Sequence, residues 1–332
     1  MRGQFAASGY LCDNQIQRTP MPKESELPET LLEFVARRPG ARLHKIPSEA
    51  SRRRFFRITI GKNTLVAMVY PEPAPAEIER FRAVQGIYSR HGLRVPRIHD
   101  VLGDRVVIQE DAGGLLLQKA WRQYGGSERR RLVTLCADIL KKLTGVPPNF
   151  TAARLDRARL LWEMDFFLQH FLSRYPGPGQ TSETLRAGLA RMVENIEVED
   201  AFAHRDFHSR NLLVNGGEIV MVDFQDSLLA PRYYDLVSLA FDSYLDLGHT
   251  REILLSGRDW TATERRQLRL TALQRNIKAL GTFAYQAFVC HHPAYARYIP
   301  RTLRHIQGHL EILADPEYQV LSRYFSSVTR NA

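Results

Sequence analysis

The side chains best suited to chemistry lie within residues 202–224. Asp206 and Asn211 belong to an HxDxxxxN pattern that begins at His204, and Asp223 follows twelve residues after Asn211. Carboxylate and amide oxygens are ligands that Mg²⁺ prefers in proteins. Transfer of a phosphoryl group needs such a metal and a carboxylate that orients the acceptor hydroxyl and takes its proton. The spacing therefore predicts metal-assisted phosphoryl transfer, with Asn211 and Asp223 on the metal and Asp206 as the base.

The segment between Asn211 and Asp223 predicts a β-hairpin. Residues 212–214 and 219–222 are apolar runs, and residues 215–217, Asn-Gly-Gly, are typical of the turn between two strands. Such a hairpin would reverse the direction of the chain and place Asn211 and Asp223 at the same end of the hairpin. The alternative is a loop of hydrogen-bonding residues between buried strands.

Two regions that differ in the spacing of their apolar residues must position Asp206, Asn211 and Asp223. Residues 43–109 contain short alternating strands and one helix, which predicts a small, mostly antiparallel sheet. The rest of the chain is mainly helical in its spacing, and a loop near residues 110–114 separates the two regions. We predict an α+β fold with an antiparallel-sheet N-terminal lobe and a mostly helical C-terminal lobe. The predicted divisions are a poorly ordered tail over 1–24, the first lobe over 25–110 and the second over 111–332.

Helical spacing is clearest in seven stretches of the second region. These stretches are residues 115–124, 127–144, 153–174, 182–195, 232–246, 262–290 and 293–312.

The composition is that of an ordinary globular protein. The 332 residues are 44% hydrophobic and 25% charged, and no run approaches the roughly 20 apolar residues of a membrane span. The first residues lack the apolar core of a secretory signal. Cys12, Cys136 and Cys290 are far apart, which argues against a disulfide framework or a zinc site. We expect a cytoplasmic protein.

The chain carries a net charge of +10, with 46 Lys and Arg against 36 Asp and Glu. Most of the basic residues are scattered arginines, as on a solvated surface. Charge alone would also suit a nucleic-acid-binding module, but no basic motif interleaved with aromatic residues is present. We therefore expect neither a nucleic-acid partner nor a membrane partner.

The motif around Asp206 resembles that of the aminoglycoside phosphotransferase superfamily, distant relatives of the protein kinases. Longer strings are similar to one branch of it, the bacterial anomeric kinases of N-acetylmuramate and N-acetylglucosamine. The strings are residues 50–57 (ASRRRFFR), 204–212 (HRDFHSRNL), 222–226 (VDFQD), 234–239 (YDLVSL) and 273–281 (LQRNIKALG). The resemblance covers roughly residues 27–320.

This resemblance implies a two-lobed, protein-kinase-like fold, with nucleotide bound by the first lobe and substrate by the second. It implies ATP- and Mg²⁺-dependent phosphorylation of an amino sugar at its C1 hydroxyl, in cell-wall sugar recycling. Asp206 matches the catalytic base, and Asn211 and Asp223 match the metal ligands. Asp235 matches an aspartate that braces the catalytic loop, and we interpret His204 as a packed, hydrogen-bonded support.

The resemblance also implies where the nucleotide binds. Residues 48–54 match a phosphate-covering loop, in which the backbone of Ala50 and Ser51 would contact phosphate. Residues 109–113 match the hinge between the lobes, where backbone groups of Gln109 and Asp111 would pair with adenine.

One departure from the kinase pattern concerns the third predicted strand, residues 65–70. Kinases usually place a phosphate-binding lysine there, and this strand has none. A guanidinium group binds phosphate through two hydrogen bonds, so Arg54 or Arg57 is a candidate replacement. A surface role for either arginine is the alternative.

Several polar residues are candidates for binding the acceptor. Glu163, Asp165 and Asp242 offer carboxylates to sugar hydroxyls, and Arg210 offers a cation to phosphate or substrate. Residues 274, 275 and 278 share one helical face and offer an amide and two cations to a lactate carboxylate or sugar oxygens. Solvated helix charges are the alternative for these residues.

The same residues also suit two other functions. A second candidate is a related small-molecule kinase that acts on an aminoglycoside, choline or a different sugar. A third is a catalytically weak nucleotide-binding protein, suggested by the missing lysine. The expected partners are ATP and a small amino sugar, bound by a monomer.

Overall fold

The computed structural model describes residues 27–47, 52–151, 153–177, 181–256 and 259–331. The predicted tail over residues 1–24 and the nucleotide-binding candidates Ala50 and Ser51 lie outside these residues. The chain divides into two compact units. The sheet unit contains the described residues up to Gly114 together with Val220–Asp226, and the helical unit contains Leu115–Ile219 and the described residues from Ser227 onward.

In the part of the chain that the structure describes, the sheet unit is built on five antiparallel strands in the order β1-β2-β3-β5-β4. The strands are β1 (Arg42–Ile46), β2 (Arg54–Ile60), β3 (Asn63–Val69), β4 (Ile98–Leu102) and β5 (Val106–Glu110). The helices α1 (Glu29–Ala36) and α2 (Pro75–Arg90) accompany them.

Alternation along the strands produces the core of this unit. Phe56 and Ile58 on β2 are buried two residues apart, because successive side chains point to opposite faces of a strand. They pack in one apolar cluster with Leu31 and Phe34 of α1.

Residues 220–226 join the sheet unit through aromatic packing. The Phe224 ring lies 4.8 Å from that of Phe81 and 5.4 Å from that of Tyr88, both on α2. The division therefore differs from the predicted one here, since Asp223 was assigned by sequence to the second lobe.

Among the described residues, the helical unit contains nine α-helices. They are α3 (Leu117–Gln123), α4 (Gly126–Thr144), α5 (Arg157–Phe167), α6 (Ser182–Glu194), α7 (Tyr234–Ala240), α8 (Arg251–Leu255), α9 (Ala262–Ala284), α10 (Ile299–Leu313) and α11 (Gln319–Asn331). A π-helical segment continues α5 over Leu168–Leu172, and another continues α9 over Tyr285–Val289.

Short strands accompany these helices. Strand β6 (Ala201–Ala203) pairs with β9 (Leu228–Ala230), and β7 (Leu212–Asn215) pairs with β8 (Glu218–Met221). The predicted hairpin between Asn211 and Asp223 is therefore present.

A close crossing of α5 and α9 fixes the centre of the helical unit. A Cβ atom at Gly281 would lie 2.8 Å from the Cα atom of Phe167, so only glycine allows this approach. Both helices contribute to one large core, in which Phe167, Leu273 and Leu280 are buried.

The predicted antiparallel sheet and mostly helical remainder are confirmed. The predicted helix over residues 232–246 is shorter, since α7 ends at Ala240. Sequence patterning did not predict α8, α11 or β9. Three residues carry too little periodicity to mark a strand, and β9 is defined by its pairing with the distant β6. Among the described residues, no helix is long and apolar enough to cross a membrane.

Candidate active site

The HxDxxxxN segment forms the loop between β6 and β7. Asp235, in the first turn of α7, accepts hydrogen bonds from the backbone nitrogens of His204 (2.6 Å) and Arg205 (2.9 Å). These bonds hold a loop in which Arg205 has a φ of +76°, a conformation that non-glycine residues rarely adopt. Burial raises the pKa of Asp235 to about 7, although both backbone donors favour its charged form. The position predicted to brace the loop thus makes direct contact with it.

Asp206 lies in the middle of this loop and is only 6% exposed. Its backbone oxygen accepts hydrogen bonds from the His208 backbone nitrogen (2.9 Å) and from the Asn211 side-chain nitrogen (3.0 Å). The second bond leaves the amide oxygen of Asn211 as the atom that can bind a cation. The loop therefore places two of the three predicted residues, Asp206 and Asn211, in direct contact.

Basic side chains surround the carboxylate of Asp206. Its Oδ1 lies 3.5 Å from Nη2 of Arg275 and 3.7 Å from Nζ of Lys278, both on α9. Burial alone would raise the pKa of Asp206, but the charges of Lys278, Arg205 and Arg275 outweigh burial and hold that pKa well below its ordinary value. Burial also lowers the pKa of Lys278 to about 8, against the opposing effect of Asp206. Asp206 is consequently held as a carboxylate.

A second carboxylate lies in the same buried region of the helical unit. Glu163 on α5 is 2% exposed, accepts a 2.8 Å hydrogen bond from the Gln274 side chain and lies 3.8 Å from the Arg205 guanidinium. Among the described residues, Oε1 of Glu163 and Oε1 of Gln274 have no hydrogen-bond partner. A buried acceptor without a hydrogen bond costs free energy. The side chains of Glu163 and Gln274 therefore suit a ligand rich in hydroxyl donors.

The remaining acceptor-binding candidates have other surroundings. Asp242 accepts backbone hydrogen bonds from Ser209 (2.8 Å) and Tyr244 (2.7 Å), and the first of these supports the end of the HxDxxxxN loop. Asp165 is exposed on α5 and pairs with Arg186 at 2.6 Å. The contacts of Asp242 and Asp165 thus serve the protein itself, and their substrate roles stay predictions.

Arg210 is held beside aromatic rings. Its guanidinium carbon lies 5.0 Å from the ring centroid of Tyr244 and 5.7 Å from that of Tyr295. Cation–π contacts of this kind orient a guanidinium. The predicted role of Arg210 toward phosphate or substrate remains a prediction.

Asp223 follows β8 in the sheet unit and has a φ of +62°. Its Oδ1 accepts hydrogen bonds from Nη2 of Arg53 (3.0 Å) and from the side chain of Gln225 (2.8 Å). The Arg53 guanidinium also contacts the Met68 sulfur at 3.6 Å, on the strand that lacks the usual lysine. Burial raises the pKa of Tyr70, and the charge and hydrogen bond of Arg53 oppose this rise only in part.

The donors of Asn211 and Asp223 fit Mg²⁺. They are an amide oxygen and a carboxylate, hard ligands of the kind that bind Mg²⁺ together with nucleotide phosphates and water. Asn211 belongs to the helical unit and Asp223 to the sheet unit.

The other nucleotide-binding candidates belong to the sheet unit. Arg57 donates to Asp111 through Nε (2.5 Å) and Nη2 (3.1 Å), so this arginine neutralises the carboxylate of Asp111. Arg54 begins β2, with its guanidinium 6.0 Å from the Phe56 ring. Gln109 lies on β5, where it is paired in register with Val66.

Sequence reasoning did not anticipate two features. The sequence predicted Arg54 or Arg57 and not Arg53 as the phosphate contact, because nothing local distinguishes three consecutive arginines. The contact of Arg275 and Lys278 with Asp206 was also not predicted. Its only signal was a pair of cations three residues apart in an otherwise buried helix.

Comparison with known proteins finds relatives that match most of the chain. One is an N-acetylmuramate/N-acetylglucosamine kinase of Pseudomonas aeruginosa, 28% identical and matched over 96% of this chain and 98% of its own. Another, with the same name, is from Neisseria meningitidis, 25% identical over 78% of this chain and 83% of its own.

Solved structures show the same fold. The ADP-bound aminoglycoside phosphotransferase APH(2'')-Ib aligns with a TM-score of 0.58 at 16% identity, over 86% of this chain and 99% of its own. A choline/ethanolamine kinase family protein from Mesorhizobium loti aligns with a TM-score of 0.59 at 17% identity, over 91% and 99%. The predicted protein-kinase-like fold is thereby confirmed.

The family match extends through both units. Residues 42–279 match the phosphotransferase enzyme family, well over half of the chain and including Asp206, Asn211 and Asp223. The chain belongs to the phosphotransferase enzyme family.

Proposed function

We propose that this chain is an ATP- and Mg²⁺-dependent kinase that phosphorylates the C1 hydroxyl of N-acetylmuramate or N-acetylglucosamine. The observation that carries this proposal is the environment of Asp206, whose pKa is held well below its ordinary value. A carboxylate of low pKa is a weak base. An anomeric hydroxyl is more acidic than an ordinary alcohol, so a weak base suffices for it. The match to kinases named for these two sugars, over 96% of this chain in one case and 78% in the other, supports the same substrates.

In the proposed reaction, the acceptor hydroxyl donates a hydrogen bond to Asp206. Asp206 takes the proton as the new O–P bond forms and the bond between the β- and γ-phosphates breaks, releasing ADP. When bound, Mg²⁺ would neutralise charge on the nucleotide phosphates, with Asn211 and Asp223 as its protein ligands. Asp235 would keep the loop in shape through its two backbone hydrogen bonds.

On the nucleotide side, Arg53 would bind the phosphates of ATP. Its guanidinium contacts Met68 of β3, the strand on which kinases carry their lysine, and it pairs with the candidate metal ligand Asp223. Arg57 is already paired with Asp111. Arg54 remains the alternative phosphate contact.

A kinase for a cationic acceptor is the second candidate, because the fold is shared with aminoglycoside and choline kinases. The charge around the proposed base disfavours it. Arg205, Arg275 and Lys278 all act on Asp206, and a polycationic acceptor would be repelled at the point where its hydroxyl must bind.

The test is a substrate panel with ATP and Mg²⁺. We expect N-acetylmuramate or N-acetylglucosamine to yield a phosphorylated product whose phosphorus NMR signal belongs to a sugar 1-phosphate and which no longer reacts as a reducing sugar. Kanamycin and choline should yield none. A product from kanamycin or choline alone would favour the second candidate, and ATP binding without turnover of any acceptor would favour a weak nucleotide-binding protein.

We expect the protein to act as a monomer in the cytoplasm, where ATP is produced.

A further inference from the structure

We propose that Arg275 and Lys278 are positioning residues for Asp206, which fix its carboxylate so that one defined oxygen receives the acceptor's proton. This inference rests on the proposed role of Asp206 as the base. It assigns part of the catalytic machinery to α9, about 70 residues from the HxDxxxxN loop along the chain.

The geometry distinguishes the two oxygens of Asp206. Nη2 of Arg275 and Nζ of Lys278 both approach Oδ1, at 3.5 Å and 3.7 Å. Two cations on a single oxygen make Oδ1 the anchored atom of the carboxylate. Oδ2 is then the atom oriented to accept a hydrogen bond from the acceptor hydroxyl.

Burial argues against a purely structural role for these cations. The side chains of Arg275 and Lys278 are 10% and 11% exposed, and removing charged groups from water costs several kcal/mol each before pairing offsets it. Well-packed apolar residues would stabilise a helix core as well or better. A buried arrangement of this kind is therefore better explained by a task at Asp206.

The charge balance of the region suits phosphoryl transfer. Three cations, Arg205, Arg275 and Lys278, make ion-pair contacts with the two buried carboxylates Asp206 and Glu163. Negative charge arrives with the transferring phosphoryl group, and fixed cations stabilise it without reorganising.

The same face of α9 also offers bonds to the acceptor. Among the described residues, Nε of Arg275 and Oε1 of Gln274 have no hydrogen-bond partner, although both are buried. A sugar hydroxyl both donates and accepts, so a polyhydroxylated acceptor can satisfy both atoms. The helix that anchors Asp206 would thereby also orient the molecule that Asp206 deprotonates.

A double-mutant cycle tests the inference on the full-length enzyme, with turnover measured at saturating ATP and sugar. We expect Lys278→Met to lower kcat about tenfold or more, within the coupling energies of contacting residues, with an unchanged KM for ATP. Lys278→Arg should restore most of the loss, because it keeps the charge. In an Asp206→Asn background, Lys278→Met should cost less than about threefold, because its target is already gone.

A matched control is available on the same helix. Arg266 pairs with Asp315 at 2.9 Å, so Arg266→Met removes an ion pair of α9 without touching Asp206 and should leave kcat unchanged. Arg275→Gln changes the other positioning residue. It is measured in the same double-mutant cycle if Lys278→Met does not fold.

Three results would overturn the inference. An unchanged kcat in Lys278→Met or Arg275→Gln would remove the positioning role. An equal loss in both backgrounds, accompanied by a lower melting temperature, would show a structural role only. Full turnover in Asp206→Asn alone would refute the proposed base and the inference with it, whereas an impaired Asp206→Asn beside a normal Lys278→Met would refute the inference alone.

Discussion

Nη2 of Arg53 lies 3.0 Å from Oδ1 of Asp223, so a basic residue before β2 neutralises the carboxylate that follows β8. We expect Arg53→Ala to raise the KM for ATP by about tenfold or more, since a hydrogen bond to a charged group contributes about 1.5–3 kcal/mol. Steady-state kinetics with varied ATP and constant sugar would measure this change.

Two comparison variants sharpen this prediction. Arg53→Lys should recover part of the affinity, because lysine keeps the charge but loses the paired donors of the guanidinium. Arg54→Ala should leave the KM for ATP unchanged. The reverse pattern, with Arg54→Ala impaired and Arg53→Ala normal, would transfer the phosphate contact to Arg54.

Asp235→Asn should weaken the catalytic loop. An amide offers one acceptor oxygen where the carboxylate offers two, so the backbone N–H of His204 or Arg205 would lose its partner. Such a buried group costs about 1–3 kcal/mol, and we expect the free energy of unfolding to fall by that amount. Denaturant unfolding would measure it, and kcat should fall as well because Asp206 lies in the same loop. Unchanged stability together with unchanged turnover would contradict the bracing role.

The pH dependence of stability should reveal the ion pair of Glu110 with Arg94. Hydrogen bonds from Arg94 lower the pKa of Glu110 from 4.5 to about 2. The stabilisation is therefore fully present above about pH 4.5 and is lost as the pH falls through 2, where the folded-state carboxylate takes up its proton. Glu110→Gln should be less stable than the wild type at pH 7, and this difference should shrink as the pH falls from 4.5 toward 2.

Urea unfolding across this pH range would measure the effect. Glu33→Gln is the matched control, because the pair of Glu33 with Arg37 is exposed and such pairs contribute little. If the loss of stability in Glu110→Gln stays constant from pH 7 to pH 3, the ion pair is not its source.

Gly281→Ala should destabilise the crossing of α5 and α9. The added Cβ would lie 2.8 Å from the Cα atom and 3.1 Å from the backbone nitrogen of Phe167, and neither backbone atom can move alone. Overpacking costs about 1–3 kcal/mol, which exceeds the gain of about 1 kcal/mol from placing alanine in a helix. Gly308→Ala on α10 should instead increase stability, since no atom lies within 4 Å of its added Cβ. Thermal unfolding of both variants would test the contrast, and a stabilised Gly281→Ala would contradict it.

The sequence by itself determined the parts of the site that depend on local spacing. Asp206 and Asn211 are five residues apart in one loop, and the Asn-Gly-Gly turn between them and Asp223 predicted the hairpin that the structure contains. The alternation of the N-terminal strands and the helical spacing of the remainder predicted the fold class. These features depend on neighbours along the chain, which a sequence shows directly.

Only the tertiary structure decided which side chains face these groups. Arg53 is 170 residues from Asp223, and Lys278 is 72 residues from Asp206. Contacts over such separations depend on how strands and helices pack, as at the glycine crossing of α5 and α9, and no local pattern encodes them. Three adjacent arginines look alike in a sequence, and packing against Met68 and Asp223 distinguishes Arg53 from the other two.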